Sequence, residues 1–291
     1  MYLEVSYIGS ACGKNKYEPA NKTILLLLAR DNPKIVKNLL LQNEIVVETD
    51  GSKLYTEELM NIYSEYQTRI TESTKLNEIQ KEIVDRLKFE NKDITDNDIS
   101  IANNFLESSL KKDCGINNEN SVIKSKMYTK GNNLMHNYVP WLCLPHWELR
   151  GFHDASVGDV VIEIKTRMKM TNVRKNEYDL YQLFGYLLVM GKTKGKIVQK
   201  YMEHIFDSDT ENKNEYGLID ITEGKWKTKF DIFKRELYSF FEKVDYICED
   251  IESRFDILEQ FDSIDLPIAV LDSGVPKNIK NGYEKILKTL F

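Results

Sequence analysis

Between Trp147 and Gly191 the hydrophobic pattern changes period. In VGDVVIEIKT (157–166), Val160, Ile162 and Ile164 alternate with Val161, Glu163 and Lys165. This two-residue period predicts a strand with Glu163 and Lys165 on one face. A shorter strand is expected just before it, from Trp147 to Arg150. YDLYQLFGYLLVMG (178–191) then reads as a helix carrying Gln182 and Tyr186 four positions apart on one face. Gly191 and Gly195 mark a turn, and Lys196 to Tyr201 is a further strand. Elsewhere the pattern is helical: a helix opening at Pro19 and running to about Asp31, a short one over 33–41, and amphipathic helices over 56–70, 76–89 and 94–110. Asp96 or Asp98 lies near the cap of the last. KKDCGINNENS (111–121) reads as a loop and DSDTENKNE (207–215) as disordered. A long amphipathic helix is expected over 230–255 and a final one over 282–290. The fold class predicted is α/β: a small central mixed sheet with helices on both sides and an added helical lobe. All 291 residues form one domain, with the helical insertion at about 55–112 and a core at about 127–206.

Composition narrows the chemistry only slightly. The net charge is −6, so the total does not announce a nucleic-acid partner, although local patches matter more than the sum. The densest basic region combines Lys165, Arg167, Lys169, Arg174 and Lys175 with Lys192, Lys194, Lys196 and Lys200. It can be read as a track for a phosphate backbone or as a solvated turn. The cysteines Cys12, Cys114, Cys143 and Cys248 are scattered without a CxxC pair, which argues against zinc or iron–sulfur binding. No secretory signal is evident, and the apolar run from Ile24 to Leu28 is too short to cross a bilayer. The expectation is an intracellular protein with no membrane association.

The candidate chemistry lies in the central stretch. Asp154, in the turn GFHD, comes nine positions before Glu163, and Lys165 follows on the same strand face. Two carboxylates beside a lysine suit Mg²⁺-assisted phosphodiester hydrolysis, in which carboxylates hold the ion and the lysine orients or activates water. The plain alternative is a solvated strand face with a weak ion pair. Against it, charges on an otherwise apolar strand are costly unless something pairs them.

The order GxxD, ExK, QxxxY resembles the PD-(D/E)XK nuclease superfamily, and within it the lambda-exonuclease, RecB and YqaJ group. The resemblance implies a restriction-endonuclease-like core. It implies metal ligation by Asp154, Glu163 and the backbone carbonyl of Ile164, with Lys165 serving the attacking water. Gln182 and Tyr186 would contact DNA or brace the lysine. The opening YIGSACGKNKY (7–17) is similar to that of YqaJ-type viral recombinases, which makes Ser10 a candidate contact to a terminal phosphate, with Asn15 and Tyr17 shaping the turn. Lambda-type exonucleases carry an arginine before this serine; here LEVSYIG has none, leaving Lys14 or Lys16 as substitutes. MYTKGNNLMHNY (127–138) falls where the family has a helix beginning Gly-x-x-x-Glu, but Met135 stands at the glutamate position four after Gly131. Methionine is not a ligand for Mg²⁺. His136 and Glu148 are the substitute ligand candidates, while His153 is expected to pack or cap.

The resemblance implies a Mg²⁺-dependent deoxyribonuclease, Mn²⁺ substituting, that resects duplex DNA ends as an exonuclease in recombination, repair or replication. Lys192 and Lys194 are candidate DNA contacts. A strand-annealing protein and a homo-oligomeric ring are the expected partners, and a viral source would place the protein in the cytoplasm or nucleus of a host cell. Two alternatives stand beside it: an endonuclease on the same core, and a nucleic-acid-binding protein whose catalysis is weakened by Met135.

Overall fold

The computed structural model describes residues 1–32, 52–70, 75–131, 133–138, 146–167, 176–201, 204–206 and 217–254. The helices expected over 33–41 and 282–290, the polar segment 207–215, and Cys143, Lys169, Arg174 and Lys175 lie outside the described residues. The protein is a mixed α/β structure built on two small sheets. The first sheet has β1 (Tyr2–Glu4) parallel to β4 (Glu148–Gly151), with β3 (Met135–Tyr138) antiparallel on the other edge of β4. The second has the order β2 (Thr129–Lys130), β5 (Ala155–Val157), β6 (Val160–Thr166), β7 (Lys194–Tyr201), with β8 (His204–Phe206) and β9 (Ile219–Asp220) at opposite ends of the outer edge of β7. Residues 151–155 carry the chain from one sheet to the other.

The centre is a β-α-β unit. Strand β6 runs parallel to β7, with Glu163 beside Ile197 and Lys165 beside Gln199, and α6 (Glu177–Met190) makes the crossover. Val161 on β6 and Leu180, Leu183, Phe184 and Leu187 on α6 join the main core, closed by Trp147 stacked on Phe241 at 4.3 Å. The long helix α7 (Gly224–Glu249), which starts and ends six residues before the predicted span, supplies Phe241 together with Phe233, Leu237 and Val244. The short helix α1 (Ile8–Ala11) and α2 (Ala20–Asp31) pack in the same core. Gly185 is where α6 meets the N-terminal segment: a Cβ there would lie 2.4 Å from Ile8 Cδ1. A terminal α8 (Ile251–Arg254) follows.

Helices α3 (Ser52–Gln67) and α4 (Leu76–Glu90) pack with the first half of α5 (Asp96–Lys126) around a separate apolar cluster including Ile62, Ile83, Leu106 and Leu110. Thr95 caps α5 in a reciprocal capping box with Asp98. The expected loop over 111–121 is instead helix, and α5 ends only at Met127, which takes the left-handed conformation at φ 55°. Buried Leu106, Leu110, Cys114, Asn118 and Val122 continue one stripe at four-residue spacing, so packing carries the helix through a polar sequence. Asn118 remains compatible with the stripe because its amide donates back to the Cys114 carbonyl at 2.9 Å. The family-like helix expected over 127–138 is absent: Thr129–Lys130 and Met135–Tyr138 are strands, and Met135 packs against the main core. Among the described residues no helix is long and apolar enough to cross a membrane.

Candidate active site

The site forms at the open edge of β6. Strand β5 pairs with β6 only as far as Ala155 opposite Ile162, so residues 163–166 outrun it. There the Ile164 backbone N–H donates to Asp154 Oδ2 at 2.7 Å. A residue's N–H and C=O leave a strand on the same side, so the Ile164 carbonyl faces the same edge. On the α6 face of β6, Glu163 is 1% exposed and pairs with Lys165 at 2.6 Å. Glu163 Oε1 meets the Lys165 ammonium, and Oε2 is buried with no hydrogen-bond donor. Lys165 Nζ also donates to Gln182 Oε1 at 2.7 Å, and Gln182 Nε2 reaches Tyr186 Oη at 3.5 Å. The structure therefore gathers Asp154, Glu163, Ile164, Lys165, Gln182 and Tyr186.

A further carboxylate joins them. Glu119, on the second half of α5, interacts electrostatically with Asp154 and Lys165. It lies four residues after Gly115, so the spacing Gly-x-x-x-Glu is present at GINNE (115–119), in the stretch read as a loop, rather than at Gly131 and Met135. Helix α5, which carries Glu119, lies on the other side of β6, where Val122 packs with Ile162, Ile164 and Val198.

The charges interact strongly. Burial, reinforced by the Asp154 charge and opposed by Lys165, pushes Glu163 up to about 8. Burial and the Asp154 charge push Glu119 up to about 7. Burial also raises Asp154, against the Lys165 ammonium and the Ile164 N–H. For Lys165, burial acts downward, but the charges of Glu163, Asp179 and Asp154 outweigh it and hold the ammonium above its ordinary range. Burial raises the Tyr186 hydroxyl, with the Glu163 charge adding to it. Strongly displaced titrations concentrated in one place are a feature of functional sites.

Gly131 sets the entry to the Asp154 turn. Its N–H donates to the Asp154 carbonyl at 3.0 Å, and a Cβ on it would lie 2.0 Å from the His153 carbonyl oxygen. His153 packs against Gly131; burial lowers its pKa, and its Nδ1 has no partner.

The other candidates are placed elsewhere. Glu148, at the start of β4 in the smaller sheet, accepts from Arg150 Nε at 2.7 Å beside Tyr2. His136 is opposite Arg150 on β3, in the smaller sheet. Ser10 is buried in a polar turn: its hydroxyl donates to Glu18 at 3.4 Å and accepts from Asn15 Nδ2 at 3.4 Å, while Asn15 Oδ1 accepts from the Tyr17 N–H at 3.1 Å. Tyr17 itself is exposed. Lys14 is held by Glu236 at 2.9 Å, and Lys16 lies over the Tyr17 ring. Lys192 pairs with Asp159 at 2.6 Å and Lys194 lies 3.8 Å from Asp220. Lys194 is in register with Val160, five residues from Lys165 along β6, which is about 16 Å of strand.

Among the described residues no three His, Cys, Asp or Glu side chains converge as a preformed metal cage. The donor set nevertheless suits Mg²⁺, which takes one or two carboxylates and fills its octahedron with substrate phosphate and water. Glu163 Oε2, buried without a hydrogen-bond donor, is the observation that fits such an ion.

No family model matches the chain, and no curated protein matches it. One solved structure, described as the crystal structure of SSO0001, aligns over 67% of this chain and 81% of its own at 19% identity and a TM-score of 0.32. That score is too low to carry an argument about fold or activity.

Proposed function

We propose that this protein is a Mg²⁺-dependent deoxyribonuclease with a restriction-endonuclease-like core of the PD-(D/E)XK type. One observation carries the reading: Asp154, Glu163, Lys165 and Gln182 meet at the open edge of β6, with Glu163 Oε2 buried and without a hydrogen-bond donor. Asp154, Glu163 and the Ile164 carbonyl would hold the ion, with Glu119 as the further carboxylate. Bound there, Mg²⁺ supplies charge stabilisation on the phosphate and a more acidic water.

The remaining work falls to the chain itself. Lys165 Nζ stays protonated among its carboxylates, so it orients water and stabilises phosphate charge rather than acting as a free base. Gln182 fixes that ammonium, and Tyr186 and the apolar core behind it limit water on the α6 side. The weakened-enzyme alternative rested on Met135 in place of a glutamate. Glu119, whose titration responds to the Asp154 and Lys165 charges, would supply a carboxylate from α5 in its stead.

Exonuclease action at duplex ends is favoured over an internal cut by the opening at 7–17, and that segment packs against α6, which bears Gln182 and Tyr186. The test is cleavage of end-labelled linear duplex and of closed circular DNA, with and without Mg²⁺, by wild type, Glu163→Gln and Lys165→Ala. Metal-dependent loss of linear DNA only, abolished by both substitutions, supports the proposal. Cutting of circles moves the reading to an endonuclease. Retained cleavage in Glu163→Gln would sink it.

A further inference from the structure

Two residues beyond Lys165, just past the end of β6, comes Arg167; one turn before Gln182, on α6, comes Asp179. Both side chains are buried, at 8% and 1% exposure. Every side of the Arg167 guanidinium is engaged: Nε donates to Gln199 Oε1 at 2.9 Å, one terminal nitrogen to Tyr178 Oη at 3.1 Å, and the other to Asp179 Oδ2. Three of its five N–H donors are held by protein and its side chain is buried, so Arg167 serves the fold at this point rather than an exposed phosphate. A buried ion pair is also a poor source of net stability, because desolvation offsets much of the attraction. Its clear effect is on geometry.

Strand and helix run in opposite directions here, and two rungs join them. One is Arg167 to Asp179 and the other is Lys165 to Gln182 at 2.7 Å. The rungs are about 6.6 Å apart on the strand and about 4.5 Å apart along the helix. The first is charged and held through three partners. The second is one hydrogen bond on a Gln182 side chain whose other end has only the 3.5 Å contact to Tyr186. The stiffer rung therefore fixes where the helix face carrying the weaker one lies.

Resting on the function proposed above, we infer that Arg167 and Asp179 are positioning residues, which hold Gln182 Oε1 against Lys165 Nζ and so aim that ammonium at the scissile phosphate. The experiment compares wild type, Asp179→Asn, Gln182→Ala and the double variant for Mg²⁺-dependent cleavage of linear duplex. It adds side-chain amide NMR, with the Gln182 signal assigned by its loss in Gln182→Ala. Asp179→Asn is expected to lower kcat on the order of tenfold to a hundredfold with KM nearly unchanged, as misplacement of a reacting group does. The double variant is expected to be no slower than the slower single one, because both act through one contact. The Gln182 amide signal is expected to move in Asp179→Asn. Losses that multiply, or an unchanged kcat and Gln182 signal with only a lower melting temperature, would overturn the inference. If Asp179→Asn does not fold, Arg167→Lys, which keeps the charge and loses the fork, is read by the same criteria. If wild type cleaves no DNA, the functional proposal fails, and the NMR arm alone decides the inference: an unmoved Gln182 signal rejects it, and a moved one upholds the positioning of Gln182.

Discussion

Asp154 Oδ2 accepts the backbone N–H of Ile164 at 2.7 Å, across ten positions of chain. The aspartate is thus both a candidate ligand and the cap on the open edge of β6. Asp154→Asn keeps an acceptor and should abolish cleavage with little change in melting. Asp154→Ala leaves the N–H without its partner and should also cost about 1–3 kcal/mol of stability. Paired activity and denaturant-unfolding measurements separate the two roles.

Stability should depend on pH in a direction opposite to that of ordinary paired carboxylates. Glu163, pushed up to about 8, and Glu119, up to about 7, keep protons that the unfolded chain releases near 4.5. Between those values the native state binds more protons, so the metal-free protein loses stability as pH rises from about 4.5 through about 8. Melting in EDTA across that range should show the decline. Glu163→Gln should flatten it and raise the metal-free melting temperature at the alkaline end. Mg²⁺ should stabilise wild type most where the carboxylates are ionised.

Glu119→Gln should reduce Mg²⁺-dependent cleavage by at least about tenfold, the effect of removing a carboxylate beside the metal ligands. Met135→Leu, a swap of similar volume, should leave cleavage near wild type and cost under about 1.5 kcal/mol. Parallel metal titrations of the two variants check the assignment.

Gly131→Ala should be severe for so small a change. The added methyl meets the His153 backbone and ring, which cannot yield without moving Asp154. A loss of about 1–3 kcal/mol is expected from overpacking, with a fall in activity larger than that of a surface Gly→Ala. Melting and cleavage of the same preparation test this.

Lys192→Ala and Lys194→Ala should change neither the rate nor the salt dependence of cleavage appreciably, because both lie toward the other end of β6 and face carboxylates. A reduced salt slope in either variant would return them to the DNA-contacting surface.

Much of this was legible in the chain. The alternation around Glu163 fixes the face of β6, and the spacing of Gln182 and Tyr186 fixes the face of α6, because both patterns are local. Glu119 was hidden for a physical reason. The stripe that keeps α5 helical passes through Cys114 and Asn118, and a buried asparagine that bonds back to its own helix breaks the apolar period without breaking the helix. With the helix ended too early, the Gly-x-x-x-Glu spacing at Gly115 and Glu119 goes unread. The surroundings of Lys192, Lys194 and Ser10 are set by Asp159, Asp220 and Glu18, and pairing of that kind leaves no periodic trace in sequence.

The continuity of α5 has one more consequence. Thirty-one residues of helix span about 46 Å, with Leu106 and Leu110 anchored among α3 and α4 and Glu119 at the candidate site. A rod seated at both ends transmits displacement. The reach of Glu119 toward the candidate site is thus set in part by how α3 and α4 hold the first half of the same unbroken helix.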